Sequence, residues 1–288
     1  MTGEAAKPSA KPHVDLPYLR QMKAAGRKFA MLTAYDYPTA AAAQAAGVHS
    51  LLVGDSMGTV LLGHRNTRSV PLDLMVILAE AVRRGAPEVY LIGDLPYECM
   101  AGGPDAVVAG ACRFRDEAGC DAIKFEADSE HDALVRKLVG KGVETIAHLG
   151  LRPQSVLTPD GYRAQARDEN SIRQLVQDAR RMVDAGAAML LLEAVPSEAS
   201  QAVVDALDVP VVGCGAGPAC DGHVVVTYDM LGISSIPPPR FVPRLAQLGS
   251  AMQEAMGRYV QAITDGTYPG PEHAYRLRKS APGALAPP

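Results

Sequence analysis

The sequence predicts a (β/α)8 TIM barrel, an α/β fold, with one helix ahead of the first strand and additional helix after the last. Three observations support this. Short apolar runs alternate with longer helical patterns along the whole chain. The runs are apolar on both faces, as strands buried inside a parallel sheet are. There are eight of them in 288 residues, and a barrel of eight β/α units takes roughly 250. A doubly wound open sheet is the competing arrangement. It favours a Gly-rich phosphate turn after the first strand, and "TAYDYPTA" is not one.

The elements follow in order. "DLPYLRQMKAAGR" has Leu16, Leu19 and Met22 at helical spacing, which predicts a short amphipathic helix. The eight strand candidates are 29–36, 50–56, 89–96, 122–126, 144–150, 189–195, 210–217 and 224–232. Helical patterns fill 38–46, 73–84, 105–118, 130–140, 171–185 and 197–206, and segment 239–264 supplies the C-terminal helix. The gap 217–224 is too short for a helix, the weakest point of the pattern. The ends, "MTGEAAKPSAKP" and "KSAPGALAPP", lack apolar periodicity. The expected organisation is an arm at 1–14, one barrel domain at 15–275 and a tail at 276–288.

Composition excludes several classes. Hydrophobic residues make up 48% and charged residues 21%, a globular balance. Net charge is −4 with mixed signs and no dense basic stripe, so no nucleic-acid partner is expected. No apolar run reaches the ~18 residues of a membrane span. The N-terminal stretch has no apolar signal-peptide core. Five cysteines without a CxxC pair argue against a disulfide framework or zinc site. A cytoplasmic protein with reduced thiols is expected.

In such barrels the chemistry sits at the C-terminal ends of the strands. Those ends carry Asp36, Asp55 with Ser56, Asp94, Lys124 with Glu126, His148, and Glu193. A single carboxylate there reads as a helix cap. Several on successive strands suggest one pocket, where they would repel unless a cation sat among them. Carboxylates without a Cys/His cluster suit Mg²⁺. Asp55 and Asp94 are the best ligand pair, and Glu126 is a third, direct or through water. Lys124 and Glu126 share one strand face. Lys124 could hold a substrate carboxylate, form a salt bridge with Glu126, or serve as a Schiff-base lysine. His148 reads as structural or as a neighbour of the site. Glu193 follows three leucines, which should raise its pKa and suit a general base. The cap of the next helix falls better to Ser197. "GCGAG" reads as a tight turn near the barrel mouth rather than a phosphate cradle.

The motifs "LTAYDYPTA", "VGDSMG", "DLPY", "IKFE", "HLGLRPQSV", "LLLEAVP", "GCGAGPACDGHVVVTYDMLG" and "YPGPEHAY" come in one order over about residues 15–275. Together they resemble the ketopantoate hydroxymethyltransferase family. The resemblance implies a barrel of the phosphoenolpyruvate/pyruvate superfamily, Mg²⁺, and 5,10-methylenetetrahydrofolate as co-substrate. It implies hydroxymethyl transfer to 3-methyl-2-oxobutanoate, giving 2-dehydropantoate in pantothenate synthesis, through a metal-stabilised enolate. Carried over by motif, Asp55 and Asp94 look like Mg²⁺ ligands, with Glu126 in the metal shell. Ser56 and Lys124 look like the holders of the keto-acid carboxylate, beside Asp55 and Asp94. Glu193 looks like the base and His148 like an active-site neighbour. Ring-like homo-oligomers, often decamers, are implied as well.

The chain departs from the family pattern in places. "DGYRAQAR" has Ala166 where a Gly is usual, and "GHRNTRSVPLDL" adds Arg65 and Arg68. "DLPY" has Tyr97 for Phe, "RFVPRL" has Pro243 for Lys, and "SSIPPPRF" is rich in proline. The alternatives are a superfamily aldolase or lyase acting on another 2-oxo acid or electrophile, and a non-catalytic metabolite-binding protein. The lyases' "KKCGH"-like loop has no match here, and a decayed binding protein would not be expected to keep Asp55, Asp94, Lys124, Glu126 and Glu193 together.

Overall fold

The computed structural model describes residues 13–156 and 162–277. The sheet is a closed barrel of eight parallel strands in chain order. They are β1 Phe29–Thr33, β2 Ser50–Val53, β3 Tyr90–Asp94, β4 Ala122–Glu126, β5 Glu144–Gly150, β6 Met189–Glu193, β7 Val211–Cys214 and β8 Gly222–Val225. Helix α1 (Leu16–Ala24) precedes them and buries Leu16, Leu19 and Met22. The outer helices are α2 (Tyr37–Ala46), α3 (Met57–Val60), α4 (Leu72–Gly85), α5 (Tyr97–Ala101), α6 (Pro104–Asp116), α7 (Asp132–Val139), α8 (Glu169–Asp184) and α9 (Ser197–Asp205). The short α10 (Thr227–Met230) and the long α11 (Leu248–Thr264) end the chain. Most of the expected arm and tail lies outside the described residues. Val14 is buried, and its amide donates to the Glu88 carbonyl.

The strands alternate between two cores. Phe29, Met31, Leu52, Tyr90, Ile92, Ala122, Ile146, Met189, Leu191, Val212 and Val224 fill the barrel, and α1 packs beneath them. Leu51, Val53, Leu91, Ile123, Phe125, Ala147, Leu149, Leu190 and Leu192 face the helices. The period of two follows from the pleat. Burial on both faces is why the strands read as continuous apolar runs.

Several boundaries differ from expectation. β1 stops at Thr33, and Asp36 caps α2 by accepting the Thr39 amide at 2.7 Å. Asp36 is therefore a cap and stands apart from the site. Residues 226–232 leave the sheet, and Thr227 opens α10, its hydroxyl donating to the Thr33 carbonyl. The connection 215–221 holds no helix and β8 begins at Gly222, inside the expected gap, yet β8 pairs with β1 and the barrel closes. The C-terminal helix begins at Leu248 rather than 239, because Pro239 and Pro243 lack the amides a helix needs. Pro196, without a side-chain bond, precedes α9; Ser197 is its first residue and not its cap.

Candidate active site

The site is the top of the barrel's inner face. Asp94 lies two residues beyond Ile92, Lys124 beyond Ala122, His148 beyond Ile146 and Glu193 beyond Leu191. Each apolar residue packs the barrel, and the next inward residue is ionisable. Asp55, Ser56, Asp94, Lys124, His148 and Glu193 all line one cavity of about 690 Å³, open mouth included. Pro239, Phe241 and Val242 form part of its wall, so the proline-rich departure borders the pocket.

Lys124 Nζ bonds Asp94 Oδ1 at 2.6 Å, so its partner is Asp94 and not Glu126. Asp94 Oδ2 accepts the Asp55 amide at 3.1 Å. A Cβ on Gly54 would stand 3.1 Å from Ser56 Oγ. That residue keeps room at the mouth and has no left-handed backbone. Tyr35, buried in the core, shares a 2.9 Å hydrogen bond with Ser56 Oγ. Glu126 is also buried, but it lines a neighbouring recess with Asp128, His131 and Arg152. Gln154 stands between the two spaces. Its Nε2 bonds Asp55 Oδ2 at 2.9 Å, and its amide bonds Glu126 Oε1 at 2.7 Å.

The electrostatics follow from burial. Asp94 is pushed up to about 7 by desolvation; Lys124 opposes this and Asp55 adds to it. Glu126 is pushed up to about 8, chiefly by burial, against the Gln154 amide and Lys124. Burial pulls the Lys124 pKa down, but Asp94 and Asp55 more than reverse this, and it stays cationic. Glu193 rises to about 7 from burial, with Lys124 opposing and Asp55 adding, as its apolar run predicts. His148 is held well below its ordinary value by burial and by Lys124. Its Nε2 lies 3.2 Å from Glu193 Oε2. With a neutral ring this is no ion pair, and neither ring nitrogen has a hydrogen-bond partner among the described residues.

These residues fit Mg²⁺. The donors are hard oxygens, and burial holds the Asp94, Glu126 and Glu193 carboxyls above their ordinary range, a cost that a bound cation would offset. Among the described residues no group of three or more His, Cys, Asp and Glu side chains could hold a metal. Mg²⁺ usually keeps only one or two protein carboxylates and fills the rest of its shell with water and substrate.

Two departures meet beside the neighbouring recess, which Tyr97 lines: the Arg68 guanidinium lies 3.8 Å over the Tyr97 ring. Ala166 has φ 53°, the left-handed region that glycine fills without cost. The sequence reasoning missed Tyr35, Gln154 and Thr67, whose buried Oγ1 at the cavity wall has no partner among the described residues.

The family model for ketopantoate hydroxymethyltransferase matches residues 13–271. The chain belongs to the ketopantoate hydroxymethyltransferase family. Two members of similar sequence carry the name 3-methyl-2-oxobutanoate hydroxymethyltransferase. That of Halalkalibacterium halodurans is 40% identical over 261 residues, covering 91% of this chain and 94% of its own. That of Thermus thermophilus is 42% identical over 252 residues, covering 88% and 96%. Among solved structures, the phosphoenolpyruvate phosphomutase of Streptomyces platensis subsp. rosaceus has a TM-score of 0.59 at 14% identity, covering 88% of each chain. That likeness concerns the barrel alone. Like its relatives, this member of the ketopantoate hydroxymethyltransferase family is an enzyme that transfers a hydroxymethyl group.

Proposed function

We propose that the chain transfers the hydroxymethyl group from 5,10-methylenetetrahydrofolate to 3-methyl-2-oxobutanoate, giving 2-dehydropantoate for pantothenate synthesis. The observation that carries this reading is the shared cavity. A carboxylate base near neutrality, Glu193, faces the same space as the Asp55–Asp94–Lys124 cluster. Asp55 and Asp94 would hold Mg²⁺, with Glu126 in the neighbouring recess as a further carboxylate of its shell, direct or through water. When bound, the ion polarises the 2-oxo group and favours loss of the C3 proton. Lys124, cationic and buried, holds the substrate carboxylate together with Ser56, whose hydroxyl Tyr35 orients. Glu193 takes the C3 proton, and neutral His148 borders it without competing for that proton. The carbon so exposed forms a C–C bond to the one-carbon unit of the folate; both C–N bonds that held this unit break, water supplies the hydroxyl group, and tetrahydrofolate leaves carrying the proton from water and the one taken from C3.

The test is hydrogen exchange at C3 of a panel of 2-oxo acids in D₂O with Mg²⁺, followed by NMR. Exchange confined to 3-methyl-2-oxobutanoate is expected. Exchange with other acids alone would give the site a different substrate, and none with any acid would sink the reading. Glu193→Gln should abolish exchange while Mg²⁺-dependent binding of the acid survives. Retained exchange would remove Glu193 from the role of base.

A homo-oligomer forms through α11, with a second copy as its partner. None of the 17 residues of this helix is buried, and Leu248, Met252, Met256, Tyr259, Val260 and Ile263 are all exposed. Their spacing of three and four puts them on a broad apolar stripe, and unpartnered stripes mark interaction surfaces. A ring-like decamer agrees with this. Five free cysteines suit the reducing cytoplasm, and no helix of the described residues is long and apolar enough to cross a membrane.

A further inference from the structure

We propose that Gln154 is a positioning residue for the divalent cation, fixing Asp55 in its metal-facing orientation and tying it to Glu126 and to the chain after Asp94. The inference rests on the reading of Asp55 and Asp94 as Mg²⁺ ligands. Gln154 is only 3% exposed. It sits on a single 3-10 turn, Pro153–Ser155, just beyond β5, and its contacts reach the exits of three other strands. The two hydrogens of Nε2 go to Asp55 Oδ2 and to the Leu95 carbonyl, each at 2.9 Å. The backbone N–H goes to Glu126 Oε1 at 2.7 Å. Leu95 directly follows Asp94, so one residue touches all three segments that carry the carboxylates of the metal shell.

The chemistry of the side chain matters as much as its position. With Oδ2 engaged, the Asp55 carboxylate cannot swing freely, and Oδ1 has no hydrogen-bond partner among the described residues. An amide restrains the carboxylate without neutralising it. A lysine or arginine in the same place would compete with the cation, and a glutamate would repel both Asp55 and the Leu95 carbonyl. Glutamine is the side chain of suitable length that gives two hydrogens from one uncharged atom. Groups that orient metal ligands in this way typically change metal affinity by about 10–100-fold when removed.

The experiment compares the full-length chain with Gln154→Met, which keeps length and shape and removes both donors. Mg²⁺ is titrated calorimetrically in the presence of 3-methyl-2-oxobutanoate, after circular dichroism has confirmed the fold. The expected result is a Mg²⁺ Kd raised about 10–100-fold, with C3 exchange restored when Mg²⁺ is increased. A role in packing alone would lower Tm and leave the Kd in place. A Kd within about twofold of the parent in the folded variant overturns the proposal. So does a loss of exchange that extra Mg²⁺ does not restore. If Gln154→Met does not fold, Gln154→Asn decides by the same comparison, since its amide falls one methylene short of Asp55. A parent chain that binds no Mg²⁺ with the 2-oxo acid present would remove the metal reading itself. Metal binding by the parent with an unchanged Kd in the variant removes only the role of Gln154.

Discussion

Proton abstraction by this site should switch on with rising pH well above the range of an ordinary glutamate. In the proposed reaction Glu193 is the group responsible. Its carboxyl moves from 4.5 to about 7, first because it is buried and then because Asp55 lies near, with Lys124 pulling the other way. That rise corresponds to ~3 kcal/mol against the carboxylate form. A group titrating at about 7 is roughly one-tenth ionised at pH 6 and nine-tenths at pH 8. The initial rate of C3 exchange at sub-saturating 3-methyl-2-oxobutanoate should therefore climb by up to about tenfold between these values. Saturating Mg²⁺ removes the competing protonation of Asp94. A bound cation would move the Glu193 midpoint downward from about 7, but the midpoint should stay far enough above the ordinary 4.5 to leave a measurable rise between pH 5 and 8. The same shift has a stability counterpart. A carboxyl raised in the folded state binds more protons than in the unfolded chain between the two pKa values, so metal-free stability falls as pH rises through that window. Thermal melts without metal should show Tm declining from pH 5 to about 7, with Mg²⁺ flattening the decline. An exchange rate that is flat from pH 5 to 8, or that rises equally in Glu193→Gln, would refute the reasoning.

Three further outcomes are expected. Lys124→Met strips Asp94 of its 2.6 Å partner and should cost about 3 kcal/mol in urea denaturation at pH 8. The loss should be smaller at pH 6, where Asp94 takes up a proton instead, and equal losses at both pH values would contradict the electrostatic account. Ala166→Gly relieves a left-handed φ of 53° and should stabilise by up to ~1 kcal/mol, read as a higher Tm; a lower Tm would mean that the methyl's packing dominates. Met256→Glu combined with Val260→Glu places charge on the exposed stripe of α11 and should lower the sedimenting mass of the assembly without changing the circular dichroism spectrum. An unchanged mass would move the interface elsewhere.

The barrel was legible because its strands are apolar on both faces and because helical patterns of 8–16 residues separate most of them. Asp94, Lys124, His148 and Glu193 were legible for a related reason. Each occupies the inward position that follows an apolar inward residue, so the period of two carries it to the mouth. Asp36 and Asp55 lie beyond strand ends, where that period no longer applies, and sequence alone put them in one class. Thr39, whose amide Asp36 caps, separates them in the structure. Gln154 stayed hidden because a loop glutamine has no periodicity, and its role comes from contacts with residues 28 to 99 positions away. Ser197 missed its expected place because Pro196 had taken the residue that precedes α9.

Helix α1 gives the barrel a floor. Leu16, Leu19 and Met22 seal the end opposite the site, and Lys23 anchors the helix to Asp221 and to the Val209 carbonyl. A cup with a single opening imposes a queue on a two-substrate reaction. In the proposed reaction the small acid would meet Lys124 and Asp94, 5% and 1% exposed, and would enter before the larger donor reached the mouth. The spent donor would then leave before the lengthened acid. For that reaction a floored barrel favours steady-state kinetics of an ordered type, with the donor's product released first.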